Sequence, residues 1–374
     1  MRQKQGRYRS NTTRLGTGAL AVAAVGLVIS ACGTTKTAAS TNSASGTPAS
    51  SLGASITALG AQSSIEASFS IPITAAQAGQ LASMGSSSSS TGGVAKALTT
   101  GSVFFAEQTG KGEALDSTAA SSDPANSYDF GISFGSDTPF EVRYVGQSVY
   151  LHLQAATLFS DLGEPASKAS ALDAELTKLN ADIPGLGALA NGGWVEASQA
   201  TLAPLLGDLK SFAASGGGSS LSNIGSTLVG LRTSVLAAIK ANSTVTSLGT
   251  SNGRQGYAVD VKAQALATSI DAALNSASGV VPSVGNKLGG LSKSIASIPS
   301  SLVVTIDAYT SSGKLAEADL NLDQLVTKSP PTFPVPLRMT ISSASISAPT
   351  GATQLNLSTI PSLVGGLVGK LGLG

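Results

Sequence analysis

The sequence predicts an α+β fold in which an antiparallel β-sheet packs on helices. Three observations carry this. Short segments in the first and last thirds alternate apolar with polar residues, the signature of half-buried strands. The segments between them, such as Lys168–Asn180, repeat apolar residues at helical spacing. Gly146-Gln147 lies between two alternating runs and supplies a two-residue hairpin turn.

Taken in order, Leu52, Ile56 and Leu59 mark a short helix, and Ile65, Ala67, Phe69 and Ile71 alternate as a strand. Ser86–Ser90 with Gly85, Gly92 and Gly93 reads as a low-complexity loop. Strands are expected at Val103–Gln108, Tyr128–Phe134, Phe140–Val145 and Ser148–Gln154. With glycine first in its turn, the Gly146-Gln147 hairpin is expected to be type II′, pairing Val145 with Ser148 and ending with Phe140 opposite Leu153. Phe140, Val142, Tyr144, Val149, Leu151 and Leu153 then share one face, and Glu141, Arg143, Tyr150 and His152 the other. Helices are expected at Lys168–Asn180, Ala200–Ala213, Leu228–Ala241 and Ala263–Ala277. The Gly/Pro-rich stretch Ile183–Gly193, the strand Trp194–Ala197, a break at Gly216–Gly218 and the strands Thr244–Leu248 and Gly256–Val261 interrupt them. After the insertion Gly279–Pro299, strands return at Leu302–Thr310, Leu315–Leu322 and Leu337–Ile346, with a last one at Gln354–Leu357. A three-residue turn, Ser311-Ser312-Gly313, would set Ile306 opposite Ala318 and Val304 opposite Leu320. Asp307 and Glu317 become near neighbours, which is read as two sheet-surface acids. No repeat of 20 to 50 residues recurs, so a solenoid is rejected.

The N-terminus has its own logic. Arg2, Lys4, Arg7, Arg9 and Arg14 form a basic region without an acidic residue, and Leu15–Ile29 follows as an apolar core. It is too short and glycine-interrupted for a transmembrane helix. Ile29-Ser30-Ala31-Cys32 ends the segment on the chain's single cysteine and resembles the lipobox of bacterial lipoproteins. That resemblance implies a signal peptide over residues 1–31, alkylation of the Cys32 thiol by diacylglycerol, cleavage before Cys32, and further acylation, for example by palmitate. The mature protein would sit on the extracytoplasmic face of the cell membrane. Two or more chains matter, because one gives only reversible attachment at about 0.8 kcal/mol per buried methylene.

Loss of residues 1–31 leaves 17 basic against 21 acidic side chains, a formal net charge of −4. That balance, without a basic cluster, argues against nucleic acid as a partner. Residues 32–51 are poor in large apolar side chains and read as a disordered tether. Residues 52–357 are assigned to one α+β domain carrying Ala/Ser/Gly-rich insertions at 155–192, 207–226 and 278–300, and residues 358–374 to an apolar, glycine-rich tail. A single acylated thiol leaves no intramolecular disulfide.

Catalytic chemistry is sparse. One histidine and one cysteine make thiolate zinc sites, His-based metal sites and Cys/His dyads unavailable, so neither a metal nor a cofactor is expected. His152 is read as a solvated cross-strand partner of Glu141, and Trp194, the only tryptophan, as a core anchor. No Walker loop or dinucleotide fingerprint is present. The chain reads as a non-enzyme.

The order of segments (lipobox, tether, helix, strands, a hairpin ending Val149-Tyr150-Leu151, a Gly-Gly-Trp-Val strand, helices, Gly256-Tyr257-Ala258-Val259-Asp260-Val261 and late strands) resembles the LppX/LprA/LprF/LprG lipoproteins and, more distantly, LolA-type carriers. The resemblance implies a curved antiparallel sheet, a half-barrel, wrapped on helices around an apolar cavity. It implies a ligand that is a lipid or lipoglycan, and lining by Phe140, Val142, Tyr144, Leu151 and Leu153 with Trp194 nearby. Transport by such a fold needs no nucleophile or metal. The competing reading is a non-enzymatic structural or adaptor lipoprotein of the envelope, with the same sheet solidly packed.

Overall fold

The computed structural model describes residues 46–85, 91–117, 123, 125–198, 241–269, 298–325 and 331–355. Outside these lie the leader, Cys32, most of the tether, the Ser86–Ser90 loop, the predicted helix Ala200–Ala213, the break at Gly216–Gly218, all but the last residue of Leu228–Ala241, nearly all of the Gly279–Pro299 insertion and the C-terminal tail.

Chain order is α1 (Pro48–Gly60), β1 (Ser64–Ser70), α2 (Ala75–Gly85), α3 (Thr91–Thr100), β2 (Gly101–Gln108), β3 (Ser127–Phe134), β4 (Asp137–Val145), β5 (Ser148–Leu153), α4 (Ala155–Asp161), α5 (Ala166–Leu179), α6 (Gly187–Ala190), β6 (Trp194–Ser198), β7 (Ser243–Ser251), β8 (Arg254–Lys262), β9 (Val303–Ser311), β10 (Lys314–Asn321), β11 (Pro336–Ser342) and β12 (Thr353–Gln354). Helix also resumes over residues 263–269. The strands form one open sheet in the order β12-β6-β5-β4-β3-β2-β1-β11-β10-β9-β8-β7. Two meanders, β2–β6 and β7–β11, thus flank the central strand β1. Every pairing is antiparallel except that of β12 with β6, which is parallel and makes the sheet mixed rather than purely antiparallel.

Tight turns set the registers. The hairpin at Gly146-Gln147 has the expected pairing, from Val145 opposite Ser148 to Phe140 opposite Leu153. Its turn is type I′ rather than II′, because Gly146 (φ 58°) and Gln147 (φ 69°) are both left-handed. The late hairpin departs further. Ser312 (φ 50°) and Gly313 (φ 75°) form a two-residue turn with Ser311 opposite Lys314. A bulge between Leu315 and Glu317 then places Ala308 opposite Ala318 and Ile306 opposite Leu320, a shift of two residues from the three-residue expectation. Asp307 accordingly faces Asp319, and Glu317 faces Tyr309. Asn252 and Gly253 make a third left-handed pair and join β7 to β8.

The core lies on one face of β1 and β7–β11. Thr47 caps α1 by accepting a hydrogen bond from the Ser50 amide (3.3 Å), and Pro48 suits the first turn. Leu52, Ser55 and Leu59, spaced three and four apart, are the buried side of the helix. Leu52 and Leu59 join Ile65, Ala67, Val259, Val261, Val304, Ala318, Leu320, Leu337 and Met339 in one apolar cluster. α1 contacts both β10 and β7, which in a flat sheet would be about 14 Å apart at about 4.8 Å per strand. This half of the sheet therefore curls about the helix.

The insertion at 155–192 is structured. α4, α5 and α6 pack in succession, and α3 approaches α4. The predicted glycine loop is partly helical: α3 begins at Thr91 and runs through Gly92 and Gly93. A Cβ at Gly93 would fall 1.9 Å from the Gly163 Cα, so two glycines allow the backbones to touch. Lys96 pairs with the buried Asp161 across the same junction.

After β11 the chain runs back over the sheet as a strap. The Ala344 amide donates to Ser64 Oγ (3.2 Å), the Ile346 amide to Gln108 Oε1 (2.7 Å), and Arg143 Nη1 to the Ser347 carbonyl (3.1 Å). It thereby passes β1, β2 and β4 before adding β12 beside β6.

Candidate functional site

Register divides the β2–β6 half into two unlike faces. On one, Phe105, Phe130, Val142, Leu151 and Val195 form a continuous cross-strand row. Beside it run Val103, Ile132, Phe140 and Leu153, and on the other side Tyr128, Tyr144 and Val149. The aromatic rings touch: Phe105–Tyr128 and Tyr128–Tyr144 have centroids 6.5 and 6.2 Å apart, and Phe130–Phe140 meet edge to face at 6.2 Å. This face continues the one that carries the core, yet Val103, Phe105 and Phe130 stay 39–40% exposed. Phe140, Val142, Tyr144, Leu151 and Leu153 are half-buried.

The other face holds the polar residues, and they are the buried ones. Glu141 is 6% and His152 8% exposed, so this cross-strand pair is enclosed rather than solvated as the sequence suggests. Trp194 pairs with His152 and so lies on this polar face, away from Phe140, Val142, Tyr144, Leu151 and Leu153. Its ring stacks on the imidazole at 5.0 Å and lies under the Arg143 guanidinium at 4.9 Å.

Arg143 is the hub of this face. Its guanidinium pairs with Glu141 (2.5 Å) and Asp129 (3.1 Å) and donates to the strap through Ser347. Asp129 is 8% exposed, and its Oδ1 has no hydrogen-bond partner. Burial, reinforced by the nearby Glu141 charge and only partly offset by Arg143, pushes its carboxyl up to about 7. Burial also raises Glu66, on β1. An open cleft of about 360 Å³ borders the cluster, lined by Asp137, Glu141, Arg143, His152, Gln154 and Trp194 among others. Further along the same face Arg338 makes a bidentate pair with Asp319 (2.9 and 2.7 Å) and also approaches Glu317, which Arg254 binds at 2.7 Å. Asp307 is raised by burial and by Asp319 and Asp260, and the acid directly opposite it is Asp319 rather than Glu317. Among the described residues no group of three or more His, Cys, Asp or Glu side chains is arranged to hold a metal ion, and no helix is long and apolar enough to cross a membrane.

The sequence points to the apolar face through strand alternation. It does not single out Asp129 or the strap, because nothing local in 127–134 or 343–352 announces that one will lie against the other's neighbours.

No protein-family model matches the sequence, and no curated protein matches it. Among solved structures, the crystal structure of LprF from Mycobacterium bovis is similar at 10% identity, over 82% of this chain and 97% of that one, with a TM-score of 0.28.

Proposed function

We propose that this protein is a lipid-anchored, extracytoplasmic envelope protein that binds acyl chains on the apolar face of its β2–β5 strands. The supporting observation is the ring-lined surface of Val103, Phe105 and Phe130, flanked by Phe140, Val142, Tyr144, Leu151 and Leu153, which stays part-exposed while the same face is sealed under α1 elsewhere. Contiguous apolar surface of this kind is uncommon on soluble proteins without a ligand or partner. Flexible hydrocarbon suits it, because the rings offer area and no directed hydrogen bond except at the two tyrosines. The lipobox-like Cys32 supplies the second support, since it would hold this face beside a bilayer. Binding and release of a lipid require no reacting group, in keeping with a non-enzymatic role.

Native mass spectrometry of the unacylated mature domain, residues 33–374, tests this. Co-purified lipid, or uptake of offered phospholipid at low stoichiometry, is the expected result. Phe105→Asn with Phe130→Asn should lower occupancy several-fold and leave the chain folded, at a stability cost of roughly 1 kcal/mol or more per ring, since each ring is 39–40% exposed. Ligand-free wild-type protein that takes up no acyl lipid would overturn the reading and favour a structural or adaptor role.

A further inference from the structure

The cleft on the polar face lies across the sheet from the apolar surface, and its chemistry is unlike that of an acyl site. Its rim is the β3–β4 turn, with Ser136, Asp137 and Thr138; its far wall is His152, Gln154 and Trp194. Asp137 is exposed and Gln154 half-buried, and their side chains are free to meet a ligand. Glu141 spends one oxygen on Arg143, at 2.5 Å. Arg143 is committed to Asp129, Glu141, the Trp194 ring and the Ser347 carbonyl. His152 is more than nine-tenths buried and forms part of the wall; its Nδ1 has no partner but lies beneath the surface rather than on the cleft.

These groups select by charge. An anion would meet Asp137 and Glu141, and among the described residues that line the cleft the one cation, Arg143, is already committed. A cation would find the carboxylates but leave the Gln154 amide hydrogens and the Ser136 hydroxyl poorly used, the Thr138 hydroxyl being already paired with Ser133 at 3.1 Å. A neutral molecule bearing several hydroxyls serves both sets, donating to the carboxylates and accepting from the Gln154 amide and the Ser136 hydroxyl. About 360 Å³ lies at the small end of ligand pockets and suits a single ring. We propose that this cleft binds one neutral sugar ring, with Asp137, Glu141 and Gln154 as its hydrogen-bonding partners and Trp194 and His152 as its wall. A free saccharide and a glycolipid headgroup share this chemistry.

Trp194 is the only tryptophan of the chain, so its emission reports the cleft directly. The mature protein is titrated with the methyl glycosides of glucose, mannose and galactose, with glucuronate and glucosamine as charged rings, and with octyl glucoside below its micelle concentration. A saturable emission change is expected with at least one methyl glycoside. Asp137→Asn and Gln154→Ala should each weaken it about tenfold or more, and the distant, exposed Glu175→Gln should not. Equal midpoints for methyl and octyl glucoside support recognition of the free sugar ring; a tighter midpoint for octyl glucoside that is still weakened by Asp137→Asn supports a glycolipid headgroup. No saturable response to any methyl glycoside, a response confined to glucosamine or to glucuronate, or binding unchanged in both cleft variants with unaltered thermal unfolding would overturn the proposal.

Discussion

Asp129 shows how one residue couples protonation to the buried side of the sheet. It is enclosed beside Glu141 with one oxygen unpaired, and a proton on that carboxyl removes the cost of a second buried anion. Its folded value of about 7 lies above the ordinary aspartate value of about 3.9. Between these values the folded chain holds a proton that the unfolded chain has released. Stability from this group is therefore complete at the acid end and is lost as pH rises toward and through about 7, with a slope of at most about 1.4 kcal/mol per pH unit. Asp129→Asn removes that dependence while keeping the shape. The variant should match or trail the wild type near pH 4, and gain on it by 1 kcal/mol or more, to order of magnitude, by pH 8. Chemical denaturation of both proteins at several pH values reads the difference; a gap that does not change with pH would show that Asp129 is not the titrating group.

At the scale of elements, alternation and turn chemistry were enough to place most strands but not to say which side of them would be covered. The pairing from Val145–Ser148 to Phe140–Leu153 follows from a two-residue loop whatever its type, which is why the register stands although Gln147 adopts a left-handed backbone expected only of its glycine neighbour. The β9–β10 register needed two facts invisible to simple alternation, a shorter turn and a bulge at Leu315/Glu317. The turn at Asn252-Gly253 went unread, although Asn-Gly is a strong local hairpin signal, because Gly249, Thr250 and Ser251 break the apolar pattern and the expected strand ended at Leu248. Burial was the least legible: Arg143 pairs with the buried Glu141, Trp194 stacks on His152, and Arg143 also binds the strap through Ser347, a contact some two hundred residues apart in sequence. The difference between sealed and open parts of the apolar face is measurable. Leu320, 2% exposed within the cluster that α1 joins, should cost about 2 to 5 kcal/mol on Leu320→Ala. Leu151, half-buried on the same face, should cost about 1 kcal/mol on Leu151→Ala, because less surface returns to water. Urea unfolding compares them, and equal losses would mean that the β2–β5 face is packed as densely as the core.

For the whole molecule, the two faces of the sheet divide the work that the proposals assign to it. A hydrocarbon ligand and a sugar ring would sit on opposite sides of the same strands, so each can be tested without disturbing the other. Attachment to a membrane would raise the local concentration of lipid at the apolar face, which makes the anchor part of the function rather than an address alone. The sequence observation behind it is Cys32 immediately after Leu15–Ile29 and Ser30-Ala31. Cys32→Ser should abolish incorporation of labelled palmitate and leave either an unprocessed precursor or protein released from the membrane fraction. It should not change the unfolding of the purified domain, since residue 32 precedes α1 by a stretch with no expected core contact. Equal labelling of wild type and Cys32→Ser would refute the anchor; equal lipid occupancy of the two purified domains, with labelling lost, would show that acyl binding by the sheet and acylation of the N-terminus are separable.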